Sequence, residues 1–214
     1  MIGKESLLNS VKERREASSM KTIDHKILAN YLACNLNADT PQLYKNAFIL
    51  GNTVPDWNAL TYLHGFFKGQ KFHGHNYENV QPVIAKMYQG LKQKKQWGMY
   101  DYYAFGKLMH YVTDSFTYPH HGTYEGTLGE HCAYEEKLHE TFLQALQLHD
   151  FSNNHVQSFE NLDEMETLHQ SYIENAGECA WDCRFIFRAT EAMLQLEVKD
   201  EAYGKVQLPK TSEA

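Results

Sequence analysis

The amino-acid sequence predicts an all-α protein, folded as a single bundle of about seven or eight helices. Apolar residues recur three or four positions apart over long stretches, as in Val80, Ile84, Met87 and Leu91, which is the helical period. No stretch alternates apolar and polar residues as a half-buried strand does. Of the 214 residues, 43% are hydrophobic and 22% are charged, which is typical of a globular domain with a sizeable core.

The first predicted elements occupy the N-terminal quarter of the chain. A short amphipathic segment is expected over residues 6–16. Thr22 is the expected N-cap of a helix that carries His25 on its first turns. Pro41 suits the first turn of the next helix, which is expected to stop at Gly51.

A long connection is predicted after that second helix. The sequence Gly-Asn-Thr-Val-Pro-Asp-Trp begins it, and Asp56 is therefore expected on a loop just past a helix end. Residues 61–74 are rich in aromatic side chains and punctuated by glycine. Phe66 and Phe67 in this loop either line a pocket or pack against the core, and the sequence leaves both readings open.

The rest of the chain is again helical in pattern. Helices are expected from Asn76 to about Lys95, from about Tyr100 to a break at Pro119, and onward to Leu148. One or two more helices are expected between Phe159 and Leu196. The predicted domain covers residues 1–198, and residues 199–214 form a charged tail that is expected to fray.

Five side chains of the kind that bind zinc fall on two predicted helices and the connection between them: His110, Asp114, His120, His131 and Glu135. The two pairs four positions apart each share a helical face. Imidazole nitrogen and carboxylate oxygen are the atoms that zinc accepts when thiolates are absent. One His–Asp pair is more often a surface or capping pair. Two pairs flanking a Pro-His-His break, in a chain with 12 histidines, favour a metal site.

Charge and cysteine content exclude some functions. A net charge of −7 argues against stable nucleic-acid binding, which needs a basic surface. The four cysteines, among them Cys179 and Cys183, lack the density of a disulfide scaffold and are expected to be buried thiols. The N-terminus does not resemble a signal peptide, and no run approaches the ~20 apolar residues of a transmembrane helix. A cytoplasmic protein is therefore expected.

At these residues the chain resembles the zinc-dependent phospholipase C family, whose all-helical fold also serves single-strand-specific nucleases of plants and fungi. The resemblance covers residues 21–143. Four motifs carry it, namely Thr22-x-x-His25, Gly51-x-x-x-Pro55-Asp56, His110-x-x-x-Asp114-x-x-x-x-x-His120 and His131-x-x-x-Glu135. The third motif is the most specific, because both of its spacings match those of the family.

The resemblance implies a set of zinc ligands. One zinc would be held by Asp56, His75, His110 and Asp114, and a second by His120, His131 and Glu135. His25 would contribute to a third zinc, with Asp114 bridging, and His73 is the alternative to His75. Secreted members complete the third site with an N-terminal Trp, whereas no Trp precedes Trp57 here. Two zinc ions are therefore expected, and a third only if it is held in another way.

The resemblance also implies an activity, which is hydrolysis of a phosphodiester. A phospholipid would be cleaved to diacylglycerol and a phosphorylated head group. Zinc lowers the pKa of a bound water toward neutrality, and Asp56 would act as a general base. Phe66 and Phe67 would then contact the lipid.

Other functions remain to be weighed against this one. Glu136-x-x-His139 and Glu166-x-x-His169 match the helical motif of di-iron carboxylate bundles, but too few residues separate them for the usual intervening helix. His149-Asp150 is the doublet of another phosphohydrolase class, without further support in the chain. A catalytically degenerate family member that keeps its metals for stability or partner binding is the non-enzymatic alternative.

Overall fold

The fold is known from a computed structural model, which describes residues 22–57, 77–122, 124, 126–149 and 157–198. Within these ranges all regular structure is helical, so the predicted all-α class is confirmed. The helices are α1 (Thr22–Cys34), α2 (Gln42–Trp57), α3 (Tyr77–Lys92), α4 (Met99–Asp114), α5 (Leu128–Leu148), α6 (Leu162–Ile173) and α7 (Cys179–Val198). A 3-10 turn, Tyr118–His120, lies between α4 and α5.

Several predicted segments lie outside the described residues. These are the amphipathic stretch at 6–16, the aromatic loop at 61–74 and the tail at 199–214. The predicted domain limits, residues 1–198, depend partly on them and stay a prediction. Between Phe159 and Leu196 the structure has two helices, which agrees with the expectation of one or two.

Helix α4 is the centre of the bundle. It contacts α1, α2, α3 and α7. Its first residues, Met99 and Tyr100, are exposed, whereas every residue from Leu108 to Asp114 is buried. Phe105, Leu108, Met109 and Val112 are all fully buried. A stretch of helix that is enclosed by its neighbours can present polar side chains only to the interior. The histidine and the aspartate at the end of α4 are therefore held away from bulk solvent.

The prediction that the second helix stops at Gly51 was wrong. Helix α2 continues to Trp57 and contains Pro55, so Asp56 lies in the last helical turn and not on a loop. Glycine usually ends a helix because its backbone is free, but here it allows close packing. A Cβ atom at Gly51 would lie 2.0 Å from the carbonyl oxygen of Tyr103 on α4. The contact between the two helices therefore overrides the local stop signal.

The same crossing uses a second glycine, from the opposite helix. A Cβ atom at Gly106 on α4 would lie 1.9 Å from the carbonyl oxygen of Phe48 on α2. Contacts this short are not possible for a real side chain, so α2 and α4 meet backbone to backbone. This arrangement decides which backbone groups of α2 can reach the side chains of α4.

The position of the helix break near Pro119 also differs from the prediction. Helix α4 ends at Asp114, and Pro119 instead lies in the first turn of the 3-10 segment. Side-chain hydroxyl groups donate hydrogen bonds to backbone carbonyl oxygens near the end of the helix. Ser115 Oγ donates to the Tyr111 oxygen at 2.7 Å. Thr117 Oγ1 donates to the Thr113 oxygen at 3.2 Å. Side-chain donors of this kind compete with continued helix and favour an early end.

The prediction of buried thiols is confirmed for two of the four cysteines and was wrong for Cys34, which is exposed, while Cys132 is half-buried. Cys179 and Cys183 are buried at the start of α7, and all four cysteines are free thiols. Burial raises the pKa of the Cys183 thiol to about 12, so it is an inert packing group. The tight turn before α7 contains Gly177, whose φ of 111° is a conformation that favours glycine. Among the described helices none has both the length and the apolar character needed to cross a bilayer.

Candidate metal centre

Helix α4 presents its last histidine and its last aspartate on one face. His110 and Asp114 are four positions apart and fully buried, and His110 Nε2 lies 3.3 Å from Asp114 Oδ2. This is the geometry that the sequence spacing predicted. Because the last two turns of α4 are buried, both side chains are shielded from bulk water, unlike a pair on the protein surface.

Helix α1 adds His25 to this pair from far away in the sequence. His25 Nε2 lies 3.1 Å from Asp114 Oδ1, and the rings of His25 and His110 contact each other at a centroid distance of 4.1 Å with a tilt of 30°. One ligand atom from each of the three residues lies within 4.8 Å of the others. We call His25, His110 and Asp114 the first cluster. Its carboxylate directs one oxygen to each imidazole, as a bridging ligand would.

The orientation of His110 is set by helix α2. Its Nδ1 lies 2.9 Å from the backbone oxygen of Asn52. A carbonyl can only accept, so Nδ1 donates a proton to it, and Nε2 is the ring nitrogen that faces Asp114. An oriented imidazole of this type is the usual form of a metal ligand. The glycine contact between α2 and α4 brings the Asn52 carbonyl within reach.

The charge state of Asp114 suits a ligand. Burial by itself would raise the pKa of this carboxyl, but His110 and His25 outweigh it and hold the pKa well below its ordinary value. The carboxylate is therefore ionised at neutral pH. A buried anion flanked by two imidazoles is a favourable place for a divalent cation.

A second cluster consists of His120, His131 and Glu135, all of them buried. His131 and Glu135 lie on α5, with His131 Nε2 at 2.7 Å from Glu135 Oε1. The ring of His120, from the 3-10 turn, lies 6.0 Å from the ring of His131 between centroids. Burial lowers the pKa of His131 to about 4, so this imidazole is neutral at pH 7, as metal ligation requires.

The two clusters are electrostatically linked. His120 is among the groups that lower the pKa of Asp114, and Asp114 in turn acts to raise the pKa of His131. Effects of this kind need short separations, since they decay rapidly with distance. The end of α4, the 3-10 turn and the start of α5 therefore form one polar centre inside an apolar bundle.

The start of α5 has a strong local signal that places His131. Thr127 is the N-cap, and its hydroxyl accepts from the backbone N–H of Glu130 at 3.3 Å. The Glu130 carboxylate accepts from the N–H of Thr127 at 2.7 Å. This reciprocal pair is a capping box, which fixes where the helix begins. His131 then follows in the first turns, facing the interior.

The structure leaves part of the predicted site untested. Asp56 lies in the last turn of α2, and nothing further is described of its side chain. His75, with its alternative His73, and the aromatic residues Phe66 and Phe67 lie outside the described residues. The roles of all these residues stay predictions.

The alternative di-iron motif is not assembled among the described residues. Glu166 accepts hydrogen bonds from Tyr77 and from Gln81, the latter at 3.1 Å. His169 stacks on the Tyr77 ring at a centroid distance of 3.4 Å. His139 pairs with Asp24 instead of a glutamate, with Nδ1 at 2.5 Å from Oδ1. Among the described residues only the first cluster brings three ligand atoms within 4.8 Å of one another, so neither the di-iron residues nor the second cluster meets that distance.

The same holds for the His149-Asp150 doublet. His149 Nε2 lies 2.7 Å from Glu191 Oε1 on α7, and Asp150 is outside the described residues. This histidine ties the end of α5 to α7. Its pairing with a glutamate gives it a structural role and does not favour the phosphohydrolase reading.

Sequence reasoning missed the residues that hold the ligands in place. Asp24 is fully buried beside His25, and its partner His139 lies on α5. A single sequence contains no signal that pairs residues so far apart, although an aspartate next to a ligand histidine in an apolar helix was a hint. The Asn52 carbonyl is a backbone group and has no sequence signal at all.

Replacing His139 with alanine should leave the metals in place and weaken their binding. The pair with Asp24 orients the start of the turn that carries His25, so its loss should cost at most ~10–100-fold in metal affinity. Metal titration of the variant monitored by calorimetry measures this. Complete loss of metal from His139→Ala, with Asp114→Ala fully metallated, would contradict the assignment of the first cluster.

The donor set fits zinc. Both clusters offer imidazole nitrogen and carboxylate oxygen, which zinc accepts readily, whereas calcium and magnesium prefer all-oxygen sites. Two imidazoles and a carboxylate already converge in the first cluster without rearrangement.

Comparison with known protein families identifies a related family. A family model described as zinc dependent phospholipase C matches residues 24–179. The matched range begins at Asp24 in α1 and ends at the first residue of α7, so it contains both clusters. Neither a curated protein nor a solved structure matches the chain.

Proposed function

Because the chain belongs to the zinc-dependent phospholipase C family, we propose that it is a zinc-dependent hydrolase of phosphodiester bonds. The proposed substrate is a phospholipid, cleaved to diacylglycerol and a phosphorylated head group. The observation that carries the proposal is Asp114, a buried anion with His25 at one oxygen and His110 at the other. The cytoplasmic location expected from the sequence stays a prediction.

The proposed ligand sets follow the family resemblance. His110 and Asp114 would hold one zinc together with Asp56 and His75, and the second cluster would hold another. His25 and Asp114 would contribute to a third. The two oxygens of Asp114 support its assignment as the ligand shared between neighbouring ions, because each faces a different imidazole.

The protein's own contribution to the chemistry is a buried, oriented set of polar groups. When bound, zinc supplies positive charge for a phosphate group and lowers the pKa of a nearby water. The Asn52 carbonyl holds the proton of His110 on Nδ1, away from the cluster. The burial of His25, His110 and Asp114 lowers the local dielectric constant, which strengthens the electrostatic interactions at the site. Asp56 is the proposed general base.

Hydrolytic activity should require zinc and should be lost when zinc is removed. Protein stripped with a chelator should cleave neither phospholipid vesicles nor soluble phosphodiester surrogates, and added zinc should restore cleavage of at least one. At least two equivalents of zinc per chain are expected by elemental analysis. Single-stranded nucleic acid belongs in the substrate panel as the alternative phosphodiester, and the net charge of −7 predicts that it is the poorer substrate.

Two outcomes of this experiment would reject the proposal in different ways. Less than one equivalent of zinc, after zinc has been supplied, would remove the metal site itself. If fully metallated protein cleaves nothing in the panel, the chain is a family member without catalytic activity, which retains its metals for stability or for binding a partner.

A further inference from the structure

Asp182 is a buried carboxylate that belongs to neither cluster. It lies near the start of α7 and has no exposed surface. It accepts three hydrogen bonds. The backbone N–H of Tyr118 and the hydroxyl of Tyr134 donate to Oδ2 at 3.1 and 2.8 Å, and the hydroxyl of Tyr172 donates to Oδ1 at 2.8 Å.

Two of these three donors lie in the segments that carry the second cluster. Tyr118 begins the 3-10 turn, two residues before His120. Tyr134 precedes Glu135 on α5 and follows His131 by three positions. A single oxygen of Asp182 therefore joins the segment of His120 to the helix of His131 and Glu135. The third donor, Tyr172, lies on α6, which carries no residue of either cluster.

The second cluster needs such a connection. His120 and His131 belong to different elements, separated by a loop, so neither helical geometry nor short-range spacing determines the distance between them. Productive metal geometry tolerates errors of only about 0.5 Å. The rings of Tyr118 and Tyr134 also contact each other, at a centroid distance of 5.7 Å, so the two segments meet at Asp182.

Burying a carboxylate at this position costs free energy. Burial raises the pKa of Asp182 to about 7 although all three hydrogen bonds act to lower it. The cost of removing the charge from water is therefore not fully offset. Well-packed apolar residues often stabilise a fold better than buried charges. The presence of a carboxyl group here is better explained by the geometry that it imposes on its donors than by stability.

We propose that Asp182 is a positioning residue for the second cluster, joining the turn of His120 to the helix of His131 and Glu135 so that a metal ion can bind between them. This inference rests on the proposed function, because it assumes that the second cluster binds metal. Asp182 itself contacts neither the metal nor the substrate.

The same helix offers a matched control. Glu197 is a buried carboxylate near the end of α7 and also accepts three hydrogen bonds, from the Asn37 N–H at 2.9 Å, Thr40 Oγ1 at 2.8 Å and the Tyr102 hydroxyl at 2.7 Å. It lies fifteen positions after Asp182, or about 22 Å along a helix. None of its donors adjoins a residue of the second cluster. Replacing either carboxylate removes a comparable number of buried bonds.

The test is a titration of the metal-free, full-length protein with Co²⁺, followed by absorption spectroscopy and calorimetry. Wild-type protein should bind at least two equivalents. Asp182→Ala should retain binding at the first cluster and bind the ion of the second cluster about 10–100-fold more weakly. Its residual spectrum should match that of His131→Ala. Glu197→Ala should lower the Tm but bind both ions as wild type does.

A conservative variant separates positioning from charge. In Asp182→Asn the amide oxygen can accept from Tyr118 and Tyr134, while the amide nitrogen donates to the hydroxyl oxygen of Tyr172. This variant should recover most of the lost affinity. If Asp182→Ala does not fold, Tyr134→Phe and Tyr172→Phe form a milder pair. Each removes one bond to Asp182, and only Tyr134→Phe should weaken the second ion.

Each alternative outcome has a separate meaning. Wild-type protein that binds fewer than two ions would reject the proposed function and leave Asp182 without a role. Wild-type protein that binds two ions, together with an unchanged second ion in Asp182→Ala, would reject the positioning role alone. An equal loss of the second ion in Glu197→Ala would also reject it, because the loss would then follow general destabilisation.

Discussion

Asp114→Ala is expected to lose the metal of the first cluster and to lower hydrolysis by on the order of 10³-fold or more, as expected for removal of a principal electrostatic group. The substitution removes the anion that lies 3.1 Å from His25 and 3.3 Å from His110. Asp114 is proposed to be shared by the ion of His110 and the ion of His25, so its loss would remove a ligand from both ions. Elemental analysis and a phosphodiesterase assay on the same preparation measure both effects.

The variant should also lose the stabilisation that zinc gives the folded protein. A ligand at about 100 times its Kd stabilises the native state by about 2.7 kcal/mol, so added zinc should raise the Tm of wild type but not of Asp114→Ala. Asp114→Asn keeps the volume of the side chain and loses the charge. It should behave as the alanine variant does in metal content. Wild-type zinc content in either variant would show that Asp114 is not a ligand.

Gly106→Ala is expected to destabilise the protein by about 3 kcal/mol or more, at the upper end of the usual cost of overpacking. The new Cβ would lie 1.9 Å from the Phe48 carbonyl oxygen, and a backbone atom cannot turn aside as a side chain can. Helices α2 and α4 must separate. The distance from His110 Nδ1 to the Asn52 oxygen should then increase, and zinc affinity should fall together with stability.

Gly90→Ala is the matched control, because Gly90 lies inside α3 and a Cβ atom there would meet no atom within 4 Å. This substitution should stabilise the protein by about 0.5–1 kcal/mol, the usual preference for alanine over glycine in a helix. Urea denaturation of the two variants gives both free energies. Similar values for Gly90→Ala and Gly106→Ala would mean that α2 and α4 are not in backbone contact.

Local periodicity was sufficient for the fold class and for two of the site contacts. A spacing of four residues on a helix brings two side chains together whatever the rest of the chain does. That is why the pairs His110–Asp114 and His131–Glu135 were predictable and are found in contact. The start of α5 is also determined by local contacts, because the hydrogen bonds of its capping box join Thr127 to a residue only three positions away.

Local signals failed where tertiary packing competed with them. Glycine and proline are both strong signals for the end of a helix. Nevertheless, α2 continues through Gly51, and α4 ends five residues before Pro119. At Gly51 the missing side chain serves the contact with Tyr103 on α4. A glycine that ends a helix and a glycine that admits another helix look alike in a single sequence, because the difference lies in the neighbour.

By itself, the sequence determined the all-α class, the helical ligand pairs and a family resemblance that joined His25 to them. Only the tertiary structure decided how His25 meets Asp114 across 89 positions, and which groups hold the clusters in place. The Asn52 carbonyl and the Asp182 carboxylate act through contacts 58 and 64 positions away from their partners. Such contacts follow from how the helices pack, and side-chain spacing along one chain contains no record of them.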